Sequence, residues 1–292
     1  MSMEFSSRDY ASNGYSRARP TYPVAFFKQL SDFHQGKRDL LIDVGCGPGK
    51  FTLELAQNLQ FQDVYGTDVS PGMIDAAIKE KGAGKKTGTV QFSVHAAEDL
   101  DWVPAGTADM VTAAQCCHWL DFEAFETAVF RALRNRGSLA IWGYVDPSFT
   151  DFPELDTAID ELQYGTDQLG PYWEKPGRDI LRGLLQSQRL DPKRFDDIIE
   201  VLYWSRNSKI PTTQLTHKPL RIDCSMTVAQ FQDYIGTWSA YNAWKRANKN
   251  TQPDVRERFI KQVKATTRLR SESLINVTWN TVFKFARKRT RL

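Results

Sequence analysis

From Leu40 to Gly143, short β-rich runs alternate with longer stretches whose apolar residues recur at helical spacing, the pattern of βαβ units wound around a parallel sheet. Strands are predicted at Leu40–Val44, Asp63–Thr67, Val90–Val94, Met110–Ala113 and Ser138–Trp142, and helices over Thr52–Leu59, Gly72–Lys81 and Phe122–Leu133. Strands this continuously apolar are covered on both faces, and right-handed crossovers join them. After Gly143 the alternation stops. Pro147 to about Asp191 mixes Pro, Gly, Tyr and Trp with helical spacing near Ile180–Leu185, and it reads as a cap laid over the sheet. Ile198–Trp204 then reads as a strand, Ser205–Pro219 as a surface loop, and Val228–Trp244 and Val255–Val263 as helices. Ile275–Phe283 is an alternating strand that completes a seven-stranded, mostly parallel α/β sheet with helices on both faces.

The chain's 292 residues can bury a substantial core but are too few for two full α/β domains, so one domain with insertions is expected. Its parts would be a flap and helix over 1–36, a ligand-binding core over 37–146, and a cap with the last strands over 147–292. Lys and Arg total 38 against 35 acids, a net +3 far from the basic surplus of a nucleic-acid binder, so the expected partner is a small molecule and not a nucleic acid. The basic run Lys284, Arg287, Lys288, Arg289 and Arg291 reads as a solvated tail. Cys46, Cys116, Cys117 and Cys224 form no C-x-x-C pair and no ligand-like spacing with the histidines, which argues against a metal site or a disulfide framework. The N-terminus lacks the apolar core of a signal peptide and no run of 18 uncharged apolar residues occurs, so a cytoplasmic protein without a membrane partner is expected. Monomer and homodimer both remain open.

Candidate chemistry concentrates at Leu41-Ile42-Asp43-Val44-Gly45-Cys46-Gly47-Pro48-Gly49, a glycine-rich turn between a strand and a helix. There Gly45, Cys46, Gly47 and Gly49 would let a ligand lie against bare backbone. Asp68, at the end of the second strand, stands where an acid can accept hydrogen bonds from both ribose hydroxyls, which points to an adenosine-containing ligand. A G-x-G-x-G turn alone also suits NAD, FAD or a plain tight turn. Here Asp43 opens the loop and Pro48 removes an amide donor, so a diphosphate would be repelled, whereas the sulfonium and ammonium of S-adenosylmethionine would be attracted. The lack of a G-K-[ST] ending excludes a triphosphate P-loop. Glu98 and Asp99 follow the third strand and Gln115–Trp119 the fourth, on the same rim. Glu98 or Asp99 could bind the ligand or cap a helix, and Met73 could pack on adenine or fill core.

With Ile42-Asp43-Val44-Gly45-Cys46-Gly47-Pro48-Gly49 and Asp68, the chain resembles the class I S-adenosylmethionine-dependent methyltransferases, which implies their Rossmann-like fold and donor. A narrower resemblance, to the fungal trans-aconitate methyltransferases, runs through Tyr15, Arg19–Pro23, Ile141–Tyr144, Gly170–Arg178, Thr237–Tyr241 and Trp279–Thr281. It implies carboxyl O-methylation of trans-aconitate or a related carboxylate. Around His95-Ala96, where many class I members carry an acid near the adenine, the sequence departs from the pattern.

Methyl transfer is an in-line displacement that rests mainly on alignment in a dry site. A carboxylate, with a reference pKa near 4, arrives ionised and needs no base; it needs an anion-orienting group, for which arginine's planar fork is best suited. Arg178 is therefore the expected clamp, and Arg19 would hold either the donor's carboxylate or the acceptor. Tyr15, Tyr22, Trp119, Trp142, Tyr144, Tyr172, Trp173, Trp238 and Tyr241 would wall the acceptor pocket. His118 has two readings: general base for a phenol, amine or thiol acceptor in fungal secondary metabolism, or hydrogen-bond donor to a carboxylate. A third possibility is a non-catalytic protein that only senses S-adenosylmethionine.

Overall fold

The computed structural model describes residues 18–83, 89–206, 217–248 and 253–290. In chain order its elements are α1 (Val24–Phe33), β1 (Leu40–Val44), α2 (Lys50–Leu59), β2 (Asp63–Asp68), α3 (Pro71–Ala83), β3 (Thr89–Val94), β4 (Ala108–Ala114), α4 (Phe122–Ala132) and β5 (Leu133–Phe149). Then come α5 (Asp156–Tyr164), α6 (Gly177–Arg182), β6 (Phe195–Tyr203), β7 (Asp223–Thr227), α7 (Val228–Gly236), α8 (Ser239–Asn248), α9 (Val255–Thr267) and β8 (Leu274–Lys288). Strand order is β3-β2-β1-β4-β5-β8-β6, with β7 also on β8. Strands β1 to β5 run parallel, and β8 runs antiparallel to β5, β6 and β7. This is the Rossmann-like methyltransferase fold, with β1 and β4 adjacent where the order reverses.

The eighth strand has a simple origin. β8 is 15 residues long and pairs with β5 along most of its length, from Arg287 opposite Ser138 to Val277 opposite Phe149. On its other side β6 reaches only Thr281 to Lys288, which leaves residues 274–278 with open backbone groups, and β7 pairs with them. Alternation along the central strands splits the core between the two faces. Leu41, Trp142 and Trp279 pack with α1 and the cap on one face, while Ile42, Val44 and Ile141 pack with α4 on the other.

Three expectations change. The basic run is not a solvated tail: Lys284 and Arg287 are buried within β8. The Lys284 ammonium donates to the carbonyls of Leu185 (2.8 Å) and Gln188 (2.7 Å), Arg287 donates to the Phe33 carbonyl and lies 4.2 Å over the Phe33 ring, and Lys288 donates to the Leu133 carbonyl at 2.7 Å. The two buried cations are tolerated because carbonyls replace water and each has a carboxylate partner from β6, Glu200 at 3.4 Å from Lys284 and Asp197 accepting from Arg287. Arg291 lies outside the described residues, as do 207–216 of the expected loop. The single helix expected over Val228–Trp244 is two, since the chain turns at Thr237-Trp238; Thr227 and Gln230 start the first with reciprocal side-chain caps. The cap draws on two stretches, α5–α6 after β5 and α7–α9 before β8. Among the described residues no helix is long and apolar enough to cross a membrane, and no metal-binding group of His, Cys, Asp or Glu occurs.

Candidate active site

The turn after β1 opens at the carboxyl edge of the sheet. A Cβ on Gly45 would lie 2.5 Å from the Cβ of Cys116, so the backbone must stay bare there. At Gly47 a Cβ would meet nothing within 4 Å, because that backbone faces a cavity. Gly49 is required for another reason: its Cβ would press on Ala77 and Phe92 at 2.7 and 2.8 Å, so it serves helix–sheet packing and lines neither cavity described below.

Asp43 does not present a bare carboxylate to the loop. It is buried, and the hydroxyls of Thr112 and Thr52 donate to its two oxygens at 2.6 Å each. Burial pushes its pKa up to about 6, against the lowering effect of the two hydroxyls. Each oxygen already accepts one hydroxyl, and the carboxyl borders the second cavity from beneath the loop, so its charge reaches the site chiefly through the field. Asp68 accepts from the amides of Gly47 (3.0 Å) and Ser70 (2.9 Å), so it holds the loop as well as lining the cavity, and burial raises its pKa too.

Two adjoining cavities open from this loop. One, of about 990 Å³ with its mouth included, has Gly45, Gly47, Asp68, Met73 and Cys116 on its floor, and His118, Trp119, Tyr144, Asp146, Gln163, Trp173, Arg178, Tyr234 and Trp238 above. The other, about 730 Å³, runs beneath residues 19–22 and is lined by Tyr22, Asp43, Cys46, Pro48, Lys50 and Glu54. Arg19, Gly45, Gly47, Gln115 and Tyr144 border both.

Arg178 starts α6, and its guanidinium lies 3.9 Å over the Trp173 ring. Its Nη2 donates to Gln163 Oε1 (2.9 Å), Asp146 Oδ1 (3.1 Å) and the Tyr164 hydroxyl, while its buried Nε has no hydrogen-bond partner among the described residues. Arg19 donates from Nη2 to the Thr237 carbonyl at 2.9 Å and stands 5.6 Å over Tyr234. His118 sits on a 3₁₀ turn, Cys117–Trp119, after β4. Its burial, then the charges of Arg178 and Arg19, push its pKa down to about 3, so the imidazole is neutral at pH 7.

Several expected site residues lie elsewhere. Glu98 faces an outer groove and accepts from the Asp121 amide at 3.0 Å, and exposed Asp99 accepts from the Asp101 amide at 3.2 Å, so both carboxylates serve local backbone. Trp142 is fully buried core. The Tyr172 hydroxyl accepts from Asn248, and the Tyr241 hydroxyl donates to Asp254 Oδ2 at 2.6 Å, so both bind the cap to itself and line neither cavity. Gln115 borders both cavities, yet its amide bonds both backbone groups of Tyr144 (2.7 and 2.8 Å). Tyr15 lies outside the described residues. Conversely, Cys116, Asp146, Gln163, Tyr234 and Ser239 line the larger cavity without having been singled out. Cys116 lay within the Gln115–Trp119 rim run, Ser239 within the Thr237–Tyr241 run and Asp146 just past Tyr144, whereas Gln163 and Tyr234 carried no local signal.

A family profile described as "Methyltransferase domain" matches residues 42–141, the span that builds the loop and strands β1 to β5 as far as Ile141. The "Probable S-adenosylmethionine-dependent methyltransferase CRG1" of Saccharomyces cerevisiae is 29% identical over 286 residues, 97% of each chain. The chain is a class I S-adenosylmethionine-dependent methyltransferase. Methyltransferase ptaI of Pestalotiopsis fici is 30% identical over 223 residues, 68% of this methyltransferase and 63% of that one. A solved structure from Anaeromyxobacter dehalogenans, reported as a candidate type II methyltransferase, superposes with a TM-score of 0.68 at 25% identity, covering 94% of this chain and 99% of that one. The residues present suit the donor. Gly47 leaves open space against the loop, Asp68 has lone pairs beyond its two amide bonds, and the carboxyls of Asp43 and Asp68 put negative charge beneath a cationic ligand.

Proposed function

We propose that this methyltransferase esterifies one carboxylate of a small di- or tricarboxylic acid, with trans-aconitate as the reference compound. S-adenosylmethionine, when bound, supplies an electrophilic methyl group on its sulfonium. The remaining task falls to the chain: Gly45, Cys46, Gly47, Asp68 and Met73 hold the donor, while Arg19 and Arg178 attract and orient the anion between aromatic walls. The observation that carries this reading is that Arg19, Arg178 and buried His118 line one cavity, where burial and the two arginine charges hold the imidazole neutral. An imidazole whose protonated form is disfavoured by burial and two neighbouring cations gives little help in deprotonating a phenol or an ammonium. A carboxylate needs no such help, since it is ionised on arrival. Neutral His118 is left to donate one hydrogen bond to the anion. Trp119, Tyr144, Trp173 and Trp238 restrict water around the displacement.

Incubation with labelled donor and a panel of di- and tricarboxylates, phenols and amines, with products read by mass and by alkaline lability, tests the reading. An alkali-labile monomethyl ester is expected, with a rate nearly constant from pH 6.5 to 8.5. His118→Gln should retain more activity than Arg178→Ala. Methylation confined to phenols or amines, with the reverse ranking of the variants, would refute it.

A further inference from the structure

The geometry points to Asp146 as a specificity-determining residue: it limits the Arg178 wall to a single-point contact with an acceptor carboxylate and selects against acceptors that press a second charge there. The inference rests on the carboxylate reading above. Asp146 lies where β5 loses register with β8, between Val145 and Pro147, and its backbone is left-handed at φ 49°. A non-glycine residue keeps that conformation only where its surroundings over-determine it. Here they do, because the side chain is 11% exposed and its carboxylate accepts from the Tyr164 hydroxyl, Arg178 Nη2 at 3.1 Å and Arg182 Nε at 3.3 Å.

Those contacts decide what Arg178 can offer. A guanidinium grips a carboxylate at two points along either the Nε–Nη2 or the Nη1–Nη2 edge, and Nη2 belongs to both. In this structure Nη2 already serves Asp146, Gln163 and Tyr164, three acceptors for two hydrogens. The ring of Trp173, 3.9 Å below the guanidinium, opposes a change of plane. An arriving carboxylate therefore finds one-point contact, and beside it the charge of Asp146, which faces the same cavity. One acceptor carboxylate is tolerated at this wall, and a second is repelled by the resident one at short range.

Calorimetry on the full chain loaded with S-adenosylhomocysteine, titrated with trans-aconitate and separately with its monomethyl esters, tests the assignment without turnover. Asp146→Asn keeps an oxygen for Tyr164 and Arg178 but removes the charge. It should shift the affinity ratio of tri-acid to monoester at least tenfold towards the tri-acid. Tyr164→Phe removes a hydrogen bond to Asp146 and one of the three acceptors of Arg178 Nη2 but leaves the Asp146 charge and two acceptors for the two Nη2 hydrogens, so it should leave that ratio within twofold of wild type. An unchanged ratio in Asp146→Asn, an equal shift in Tyr164→Phe, or no binding of either compound to any variant would overturn the proposal. If the ratio shifts as expected yet no carboxylate is methylated, the esterification reading fails, and what stands is only that Asp146 selects against a second ligand charge at this wall.

Discussion

Protonation of Asp43 should weaken the donor complex while strengthening the fold, and the two effects can be measured separately. Asp43 is 1% exposed beneath the glycine loop, and its pKa is pushed up to about 6, mainly by burial. If a cationic donor needs the ionised carboxyl, the competent fraction is about nine-tenths at pH 7 and about one-tenth at pH 5. Donor affinity should then fall about tenfold, or about 1.4 kcal/mol, between those two values. Stability moves the other way. Because the folded-state pKa lies above the unfolded reference of 3.8, the proton binds more tightly to the folded protein, and stability is lost as pH rises from about 4 to about 6, by about 3 kcal/mol from this group. Weaker binding at pH 5 would therefore not reflect unfolding caused by Asp43. Calorimetry in two buffers of different ionisation enthalpy, at steps from pH 5 to 7.5, measures both the affinity and the proton released, about half a proton near pH 6. Asp68 is also raised by burial, so Asp43→Asn is the discriminating variant and should lose most of the pH dependence. A flat wild-type profile without proton release, or an Asp43→Asn profile as steep as wild type, would refute the reasoning.

Gly45→Ala puts a methyl 2.5 Å from Cys116 at φ +62°, and a fall in stability of about 1–3 kcal/mol is expected from denaturant titration. Gly47→Ala has open space around it and only its φ of +54° to oppose it, so it should stay folded at a cost of about 1–2 kcal/mol, yet lose at least tenfold in donor affinity by calorimetry. Equal donor affinity in Gly47→Ala and wild type would place the donor elsewhere. Lys284→Met keeps a long buried side chain but drops its bonds to the carbonyls of Leu185 and Gln188 and its ion pair with Glu200; Gln188 in turn donates to the Cys117 carbonyl (2.8 Å) at the start of the His118 turn. Acceptor KM should rise several-fold with donor Kd within twofold, and a uniform loss of both would make Lys284 merely structural.

What the sequence by itself determined is mostly local. Runs of apolar residues at period two or near four placed β1 to β4 and α2 to α4 to within about two residues at each end, because those elements bury one stripe or both faces whatever lies opposite, whereas β5, expected over Ser138–Trp142, runs from Leu133 to Phe149 because its extension is set by pairing with β8. The donor loop was legible for the same reason: Gly45 and Gly47 answer to the backbone of a tight turn at a strand end, and Asp68 follows from the length of one βαβ unit. The acceptor wall was decided only in the tertiary structure. Arg178 meets Asp146 across 32 residues and Arg19 meets Thr237 across 218, distances over which pattern carries no register. Trp142 ends an apolar strand and turns into the core, as such a strand would have it; within the cap nothing local separates Tyr172, which lines neither cavity, from its neighbour Trp173, which turns to the larger one. Lys284 and Arg287 read as solvated because charge near a chain end usually is; they can be buried because β8 threads between β5 and β6, which brings Glu200 and Asp197 of β6, together with backbone carbonyls, within reach of the two cations.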